Sequence, residues 1–327
     1  MNTKKTLIII SSVTLLILAG LFAVQYLFFG APQSQEKKEV FTIGLKQSES
    51  QILDKLKSQG FIKNKVAFKI VRFFKKESIE AGGYNVSKNM SAWQVVSKLT
   101  SAPDMKWVVI PEGYRKEQIG EKLAETFGWS DEELDKWNTE YTKMRIDYIE
   151  GTYFPDTYLI PVDEGGFKIA ERMTRRFDEK FAPYISQFAE QNIAWTTGLK
   201  LASIIQREAA GKNDMPLIAG IMWNRLLGGM NLEIDATVQY ARGKTDTGWW
   251  APIKADDIRN IDSLYNTYKN KGLPPYPIDN PGLEAIDAVL HPTETDCLFY
   301  LHDGDRQIHC AKTLEEHQAN IDKYLKS

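Results

Sequence analysis

Residues Leu7 to Phe29, LIIISSVTLLILAGLFAVQYLFF, form an unbroken apolar run whose most polar member is Gln25. At about 1.5 Å rise per residue, a helix over this run reaches across a hydrocarbon core of roughly 30 Å. Lys4 and Lys5 precede it, a bias that keeps the amino terminus in the cytoplasm and sends the rest of the chain across. A cleaved signal peptide is the alternative. The run is long for a signal core, and no small-x-small cleavage site follows it. No cysteine lies near its end, which excludes a lipoprotein anchor.

Beyond the run, 327 residues leave room for two or three domains with ample core. Lys+Arg 41 against Asp+Glu 43 gives no basic excess, so nothing points to nucleic acid. Residues 1–6 read as a cytoplasmic tail, 7–29 as a transmembrane helix and 30–39 as a polar linker. From 40 to 105 the pattern is small α/β. Phe41-Thr42-Ile43 suggests a strand, Ser50 to Gln59 a helix, and Ala67 to Phe74 a helical or extended stretch. Ala81 to Val86 suggests a turn and strand, and Ala92 to Leu99 a helix capped by Ser91. This cadence resembles the LysM-like module that binds glycan; a spacer domain with no ligand is the alternative.

The remaining residues, 106–327, read as a larger mixed α+β domain. The stretch Leu199 to Ala210 predicts an amphipathic helix, with Thr196 or Thr197 as its cap and Gly211 as its stop. Leu201, Ile204, Ile205 and Glu208 follow the i, i+3, i+4, i+7 spacing, so an apolar stripe ends in a carboxylate. Such a Glu should be partly desolvated and its pKa raised, as a general acid requires. The competing reading has it swing to water or pair with Arg207 or a distant Arg. Elsewhere, Glu150 to Tyr158 reads as a groove-lining or packed loop. Prolines and glycines cluster with Asn and Tyr from Met230 to Gly282, which suggests a rigid irregular wall suited to sugar binding.

The two cysteines flank an Asp303-Gly304 pair. If those two residues form the hairpin turn, Leu301 faces Arg306, Phe299 faces Ile308 and Cys297 faces Cys310, close enough for a cross-strand disulfide. A turn one residue longer would destroy that match. The histidines, His291, His302, His309 and His317, form no close ligand pair such as HExxH, so no metal is implied. No Ser-His-Asp elbow and no phosphate-cradling glycine loop occurs either.

Several separated motifs occur in one order: Ile110-Pro111-Glu112-Gly113, Glu150-Gly151 with Phe154-Pro155-Asp156-Thr157-Tyr158, and Leu201-Ala202-Ser203-Ile204-Ile205 ending in Glu208. Asn224-Arg225-Leu226, Asp235 with Thr237-Val238 and Tyr240, and Tyr265-Asn266-Thr267-Tyr268 follow. Gly272-Leu273-Pro274-Pro275, Asn280-Pro281-Gly282, His291-Pro292 and Ala311-Lys312-Thr313 with Glu316-His317 close the set. In these motifs the chain resembles the YceG-like endolytic murein transglycosylases, also called MltG. It departs from them at Gln206, where the family usually has Glu, at Glu233 (Gln), at Ala236 (Pro), and at Cys310, where an aromatic is usual.

The resemblance implies an α+β fold carrying a lysozyme-like acid on a helix. It implies cleavage of the β-1,4 bond between N-acetylmuramic acid and N-acetylglucosamine inside a glycan strand, leaving a 1,6-anhydro end. Glu208 would be the general acid and base. Asn224, Arg225, Asp235, Thr237, Tyr240, Tyr265, Asn266, Tyr268 and Asn280 would hold the sugar, and no cofactor or metal would be needed. Peptidoglycan glycan strands and the membrane would be its partners, with glycan polymerases or penicillin-binding proteins alongside. Asn224, Tyr240, Tyr265, Asn266 and Asn280 are expected to converge on the Glu208 carboxyl. The rival class is a membrane-tethered peptidoglycan-binding scaffold without catalysis.

Overall fold

The computed structural model describes residues 3–34, 36–146 and 149–326. The chain divides into two compact units. One comprises Met1–Val108 with Tyr158–Asp163, the other Val109–Thr157 with Glu164–Ser327.

The first unit opens with helix α1 (Thr3–Val24), continued by a π-helical turn Gln25–Phe29. Leu7–Phe29 is the one span among the described residues long and apolar enough to cross a membrane. Strand β1 (Lys38–Ile43), helices α2 (Glu49–Ser58) and α3 (Lys65–Phe74), strand β2 (Gly82–Ser87), helix α4 (Ala92–Leu99) and strand β3 (Met105–Val109) follow. Ser48 and Ser91 cap α2 and α4 through full capping boxes with Gln51 and Gln94, and Asn64 caps α3 by accepting from the Ala67 amide. A fourth strand, β4 (Thr157–Pro161), begins at the last two residues of the stretch expected to be a loop, Glu150 to Tyr158, and completes the sheet order β1-β2-β3-β4. Strands β1 and β2 pair antiparallel from Lys38↔Ser87 to Ile43↔Gly82.

Phe41, Ile52, Leu56, Phe68, Val71, Tyr84, Val96 and Leu99 fill this unit's core. Phe28 and Phe29, at the end of the apolar run, pack against the same core. Within residues 30–39, the Gln33 amide donates to the Lys88 carbonyl at 3.0 Å. The stretch expected to be a polar linker is thus tied to the unit at that point.

The second unit is mainly helical. It contains α5 (Lys116–Phe127), α6 (Asp131–Thr139), the long α7 (Gly166–Glu190) and α8 (Trp195–Glu208). Then come α9 (Met215–Leu227), α10 (Asp235–Arg242), α11 (Ala255–Asn260) and α12 (Leu283–Leu290). The hairpin β5 (Phe299–His302) and β6 (Ile308–Ala311) and the final helix α13 (Leu314–Tyr324) complete it. Leu201, Ala202, Ile204 and Ile205 of α8 sit at the centre of its core, against Phe177, Phe181 and Phe188 of α7, Ile218 and Met222 of α9, and Ile286 and Val289 of α12.

Two local expectations fail. Helix α8 starts at Trp195 behind Ala194, with Thr196 and Thr197 inside its first turn and no side-chain cap, and it ends at Glu208, with Ala209 rather than Gly211 as the residue that stops it. Residues 235–242, read as part of an irregular wall, form α10, with Asp235 in its first turn, where a carboxylate complements the helix dipole.

Candidate functional site

Helix α8 ends at the floor of a cleft. Its last residue, Glu208, lies there with Arg225 of α9, Glu233, Asp235 of α10, Tyr268, Phe299, Tyr300 and His302 of β5, and Leu314 and His317 of α13. The cleft encloses about 530 Å³. The Tyr300 hydroxyl donates to Glu208 Oε2 at 2.6 Å. Burial holds the Glu208 carboxyl above the ordinary carboxylate range, and the charge of Asp235 pushes the same way. The Tyr300 hydrogen bond, His302 and Arg207 pull it down without cancelling that rise.

The other charges of the cleft are engaged. Arg225 is buried; its Nη2 donates to Glu233 Oε2 at 2.5 Å, and its guanidinium lies 5.4 Å from the centre of the Phe299 ring. Glu233 reaches it from a left-handed backbone with φ of 55°. The Tyr268 hydroxyl donates to Asp235 Oδ1 at 2.6 Å. His302 Nε2 sits 2.8 Å from Asp214 Oδ2, while the two Asp214 oxygens also accept from the Ala210 and Gly211 amides just beyond α8. The strand and the end of the acid-bearing helix are thereby fastened together.

Of the substrate-binding residues expected from the sequence, Arg225, Asp235 and Tyr268 share this cleft with Glu208. Three others brace its walls. Asn224 Nδ2 donates to the Thr295 carbonyl at 2.7 Å and the Cys297 carbonyl at 3.2 Å, fixing the entry to the hairpin. The Thr237 hydroxyl donates to the Ile234 carbonyl at 2.7 Å and lies 2.9 Å from the Thr267 hydroxyl. Asn266 Nδ2 donates to the carbonyls of Ile258 and Ile261, while its Oδ1 accepts from the Tyr268 amide at 3.2 Å. These residues shape the turns that present Asp235, Tyr268 and Tyr300.

The last three gather around a different carboxyl. Glu150 is fully buried and accepts from the Lys116 amide at 3.0 Å, from Asn280 Nδ2 at 2.8 Å and from the Tyr240 hydroxyl at 3.4 Å. Tyr240 and Tyr265 pack with tilted rings, centres 4.7 Å apart, and the Arg115 guanidinium lies 4.1 Å from the centre of the Tyr240 ring. Asn280 Oδ1 also accepts from the Tyr153 amide at 2.7 Å. Burial, with the nearby charge of Glu117, pushes the Glu150 carboxyl well up, and burial raises Tyr265 to about 12. Gly151 has φ of 86°, and a Cβ there would stand 2.7 Å from Pro277, so the Glu150-Gly151 pair needs its glycine.

The expected convergence of Asn224, Tyr240, Tyr265, Asn266 and Asn280 on Glu208 therefore does not occur. Asn and Tyr in Pro/Gly-rich loops serve the backbone's own hydrogen-bond demand as readily as a ligand's, and here backbone groups and a buried carboxyl claim them.

The sequence reading also missed Tyr300 and His302 as neighbours of Glu208. The alternation of β5 puts both on one face, a signal the sequence does contain. The hairpin's register hid it. Phe299 pairs with Ala311, Tyr300 with Cys310, Leu301 with His309 and His302 with Ile308, around a loop in which the Asp303 amide donates to the Gln307 carbonyl. The expected two-residue turn and its pairs are wrong. Cys297 and Cys310 still form a disulfide, Cα atoms 5.8 Å apart, with Cys297 just outside the paired strands.

A model of the YceG-like family matches residues 41–323. The chain belongs to the YceG-like family. Among its relatives is a Bacillus subtilis protein named endolytic murein transglycosylase, 30% identical over 90% of this chain and 88% of the relative. A Streptococcus pneumoniae protein of the same name is 28% identical over 96% of this chain, which spans 64% of that longer relative. A crystal structure of a yceG-like protein from Listeria monocytogenes covers 87% of this chain and 99% of that one, with 29% identity and a TM-score of 0.62. The segment that bears Glu208 and its cleft thus lies wholly inside the family match.

Proposed function

We propose that this chain is a membrane-tethered endolytic lytic transglycosylase of peptidoglycan. In this reading it cleaves the β-1,4 bond between N-acetylmuramic acid and N-acetylglucosamine within nascent glycan strands and ends their elongation. The single observation that carries the chemistry is the half-buried Glu208 carboxyl, held above its ordinary pKa at the floor of a polar cleft.

A protonated Glu208 donates its proton to the glycosidic oxygen as the C1–O bond breaks, and the muramoyl acetamido group stabilises C1. The resulting carboxylate takes the proton of the sugar's own O6 as that oxygen closes on C1. Glu208 returns to its starting state, and no water is consumed. One carboxyl then does what a hydrolytic glycosidase divides between two. Of the other cleft carboxylates, Glu233 is paired with Arg225, and Asp235 accepts from Tyr268.

Leu7–Phe29 anchors the chain as a single-pass helix in the cytoplasmic membrane, amino terminus inside and catalytic domain outside. Residues 40–105, whose sheet strand β4 completes, act as a LysM-like module, and the rest of 106–327 as the catalytic domain. Glycan polymerases, including penicillin-binding proteins, are the neighbours expected of a strand-terminating enzyme.

The test is incubation of the detergent-solubilised full chain with purified glycan strands and mass spectrometry of the products. Internal 1,6-anhydro ends are expected from the parent, and at least a hundredfold fewer from Glu208→Gln, since such groups contribute about 10²–10⁴-fold. Strand binding with no cleavage by the parent would overturn the reading in favour of a scaffold.

A further inference from the structure

Helix α3, KVAFKIVRFF, carries three stripes rather than two. Ala67, Phe68 and Val71 face the core of the first unit. Lys65, Lys69 and Arg72 form a third stripe, in which Lys65 pairs with Asp54 and the largely buried Arg72 with Glu49. Val66, Ile70, Phe73 and Phe74, spaced i, i+4, i+7, i+8, form a second apolar stripe that the unit leaves uncovered. Phe73 is 78% exposed and Phe74 66%. A small domain has no folding reason to present two adjacent phenylalanines to water, and a contiguous apolar patch marks an interaction surface.

Its position identifies the occupant. The Phe74 ring lies 6.3 Å from the ring of Trp93, itself 37% exposed, and Trp93 lies 6.2 Å from Phe29. Phe29 is the last residue of the membrane-spanning run. Asn64, the cap of α3, donates to the Phe28 carbonyl at 3.1 Å, and Lys63 Nζ donates to the Tyr26 carbonyl at 2.9 Å while lying 4.8 Å from the centre of the Tyr26 ring. The apolar stripe is thus continuous with the end of the anchor. It is bounded by Trp and Tyr, the residues of membrane interfaces, and flanked by Lys69, Lys75 and Lys76, which suit anionic headgroups.

We propose that α3 is an in-plane membrane helix. Val66, Ile70, Phe73, Phe74 and Trp93 enter the outer acyl–headgroup boundary of an anionic bilayer beside the anchor, and Lys69, Lys75 and Lys76 meet the headgroups. The small unit is then docked on the lipid surface rather than free to swing from a tether. The proposal rests on the reading of Leu7–Phe29 as a retained membrane span.

The test uses the full chain, disulfide intact, reconstituted one copy per nanodisc of phosphatidylglycerol and phosphatidylethanolamine. A spin label is placed singly at Phe73→Cys, at Leu18→Cys within the anchor, and at Asp131→Cys as an exposed reference. Collision rates with oxygen and with a water-soluble nickel chelate are then compared. The expected result is an oxygen-to-nickel ratio at position 73 several-fold above that at 131, approaching that at 18. A lipid-like ratio at 18 with a water-like ratio at 73 would overturn the docking while leaving the anchor standing. A water-like ratio at 18 would remove the anchor and the docking together. Protection at 73 seen only when a disc holds two copies would assign the face to self-association and overturn the proposal.

Discussion

Tyr300 donates its hydroxyl to Glu208 Oε2 at 2.6 Å across 92 positions of sequence, joining the second strand position of β5 to the last residue of α8. The bond favours the ionised carboxylate, whereas burial favours the neutral acid. In the proposed mechanism the proton that Glu208 gives and recovers is therefore set by a balance that single substitutions can move either way.

Tyr300→Phe removes the pull toward the carboxylate and keeps the ring. The Glu208 pKa should rise further, so the alkaline limb of the cleavage-rate profile, where the acid loses its proton, should move to higher pH. A profile of anhydro-end formation against pH checks this. A limb that stays in place would mean that Tyr300 does not set the acid.

Asp235→Asn should act in the opposite sense. The charge of Asp235 raises Glu208, and the amide removes that charge while its carbonyl oxygen still accepts from the Tyr268 hydroxyl. The alkaline limb should move to lower pH, and the two variants should bracket the parent profile.

What the sequence made legible follows from the range of the signals. The periodic segments were readable because their burial is local: Leu201, Ile204 and Ile205 of α8 are fully buried, as their spacing implied. The pattern also placed a desolvated carboxyl at Glu208. It could not place Tyr300 beside it, because that contact depends on a hairpin register fixed by a loop longer than the Asp-Gly pair suggested. Nor could it divide the Asn and Tyr residues between two carboxyls. Glu150 sits in an aromatic-rich stretch with no period, and its partners lie up to 130 residues away.

The disulfide should matter to the cleft rather than to the fold as a whole. Cys297 and Cys310 close a loop with a sequence separation of 13 that contains β5, Tyr300 and His302. Closing a loop of this size stabilises by about 3 kcal/mol, so reduction should speed local opening of the hairpin by roughly a hundredfold. Hydrogen exchange on the reduced full chain should show this acceleration in β5 and β6 while α5 and α6 hold. Cleavage should fall with it, since the Tyr300 wall loosens.

Glu150 should prove structural, and pH should reveal it. Its oxygens accept from the Lys116 amide, Asn280 and Tyr240, so Glu150→Ala leaves buried donors unmatched beside a cavity and should cost about 2–4 kcal/mol. Glu150→Gln keeps an acceptor for Asn280 and Lys116, and Tyr240 can turn to accept from its amide, so the loss should be small near neutrality. The folded-state pKa of Glu150 lies above its unfolded value, because burial disfavours the charge. The parent is therefore penalised progressively as pH climbs from the ordinary carboxylate range to that raised value, where the unfolded chain ionises first. The glutamine carries no such proton, so its stability relative to the parent should improve steadily over that window and then level off. Thermal midpoints of both proteins measured across pH test this. A difference that stays flat would mean that Glu150 is already ionised in the fold, which its enclosure argues against.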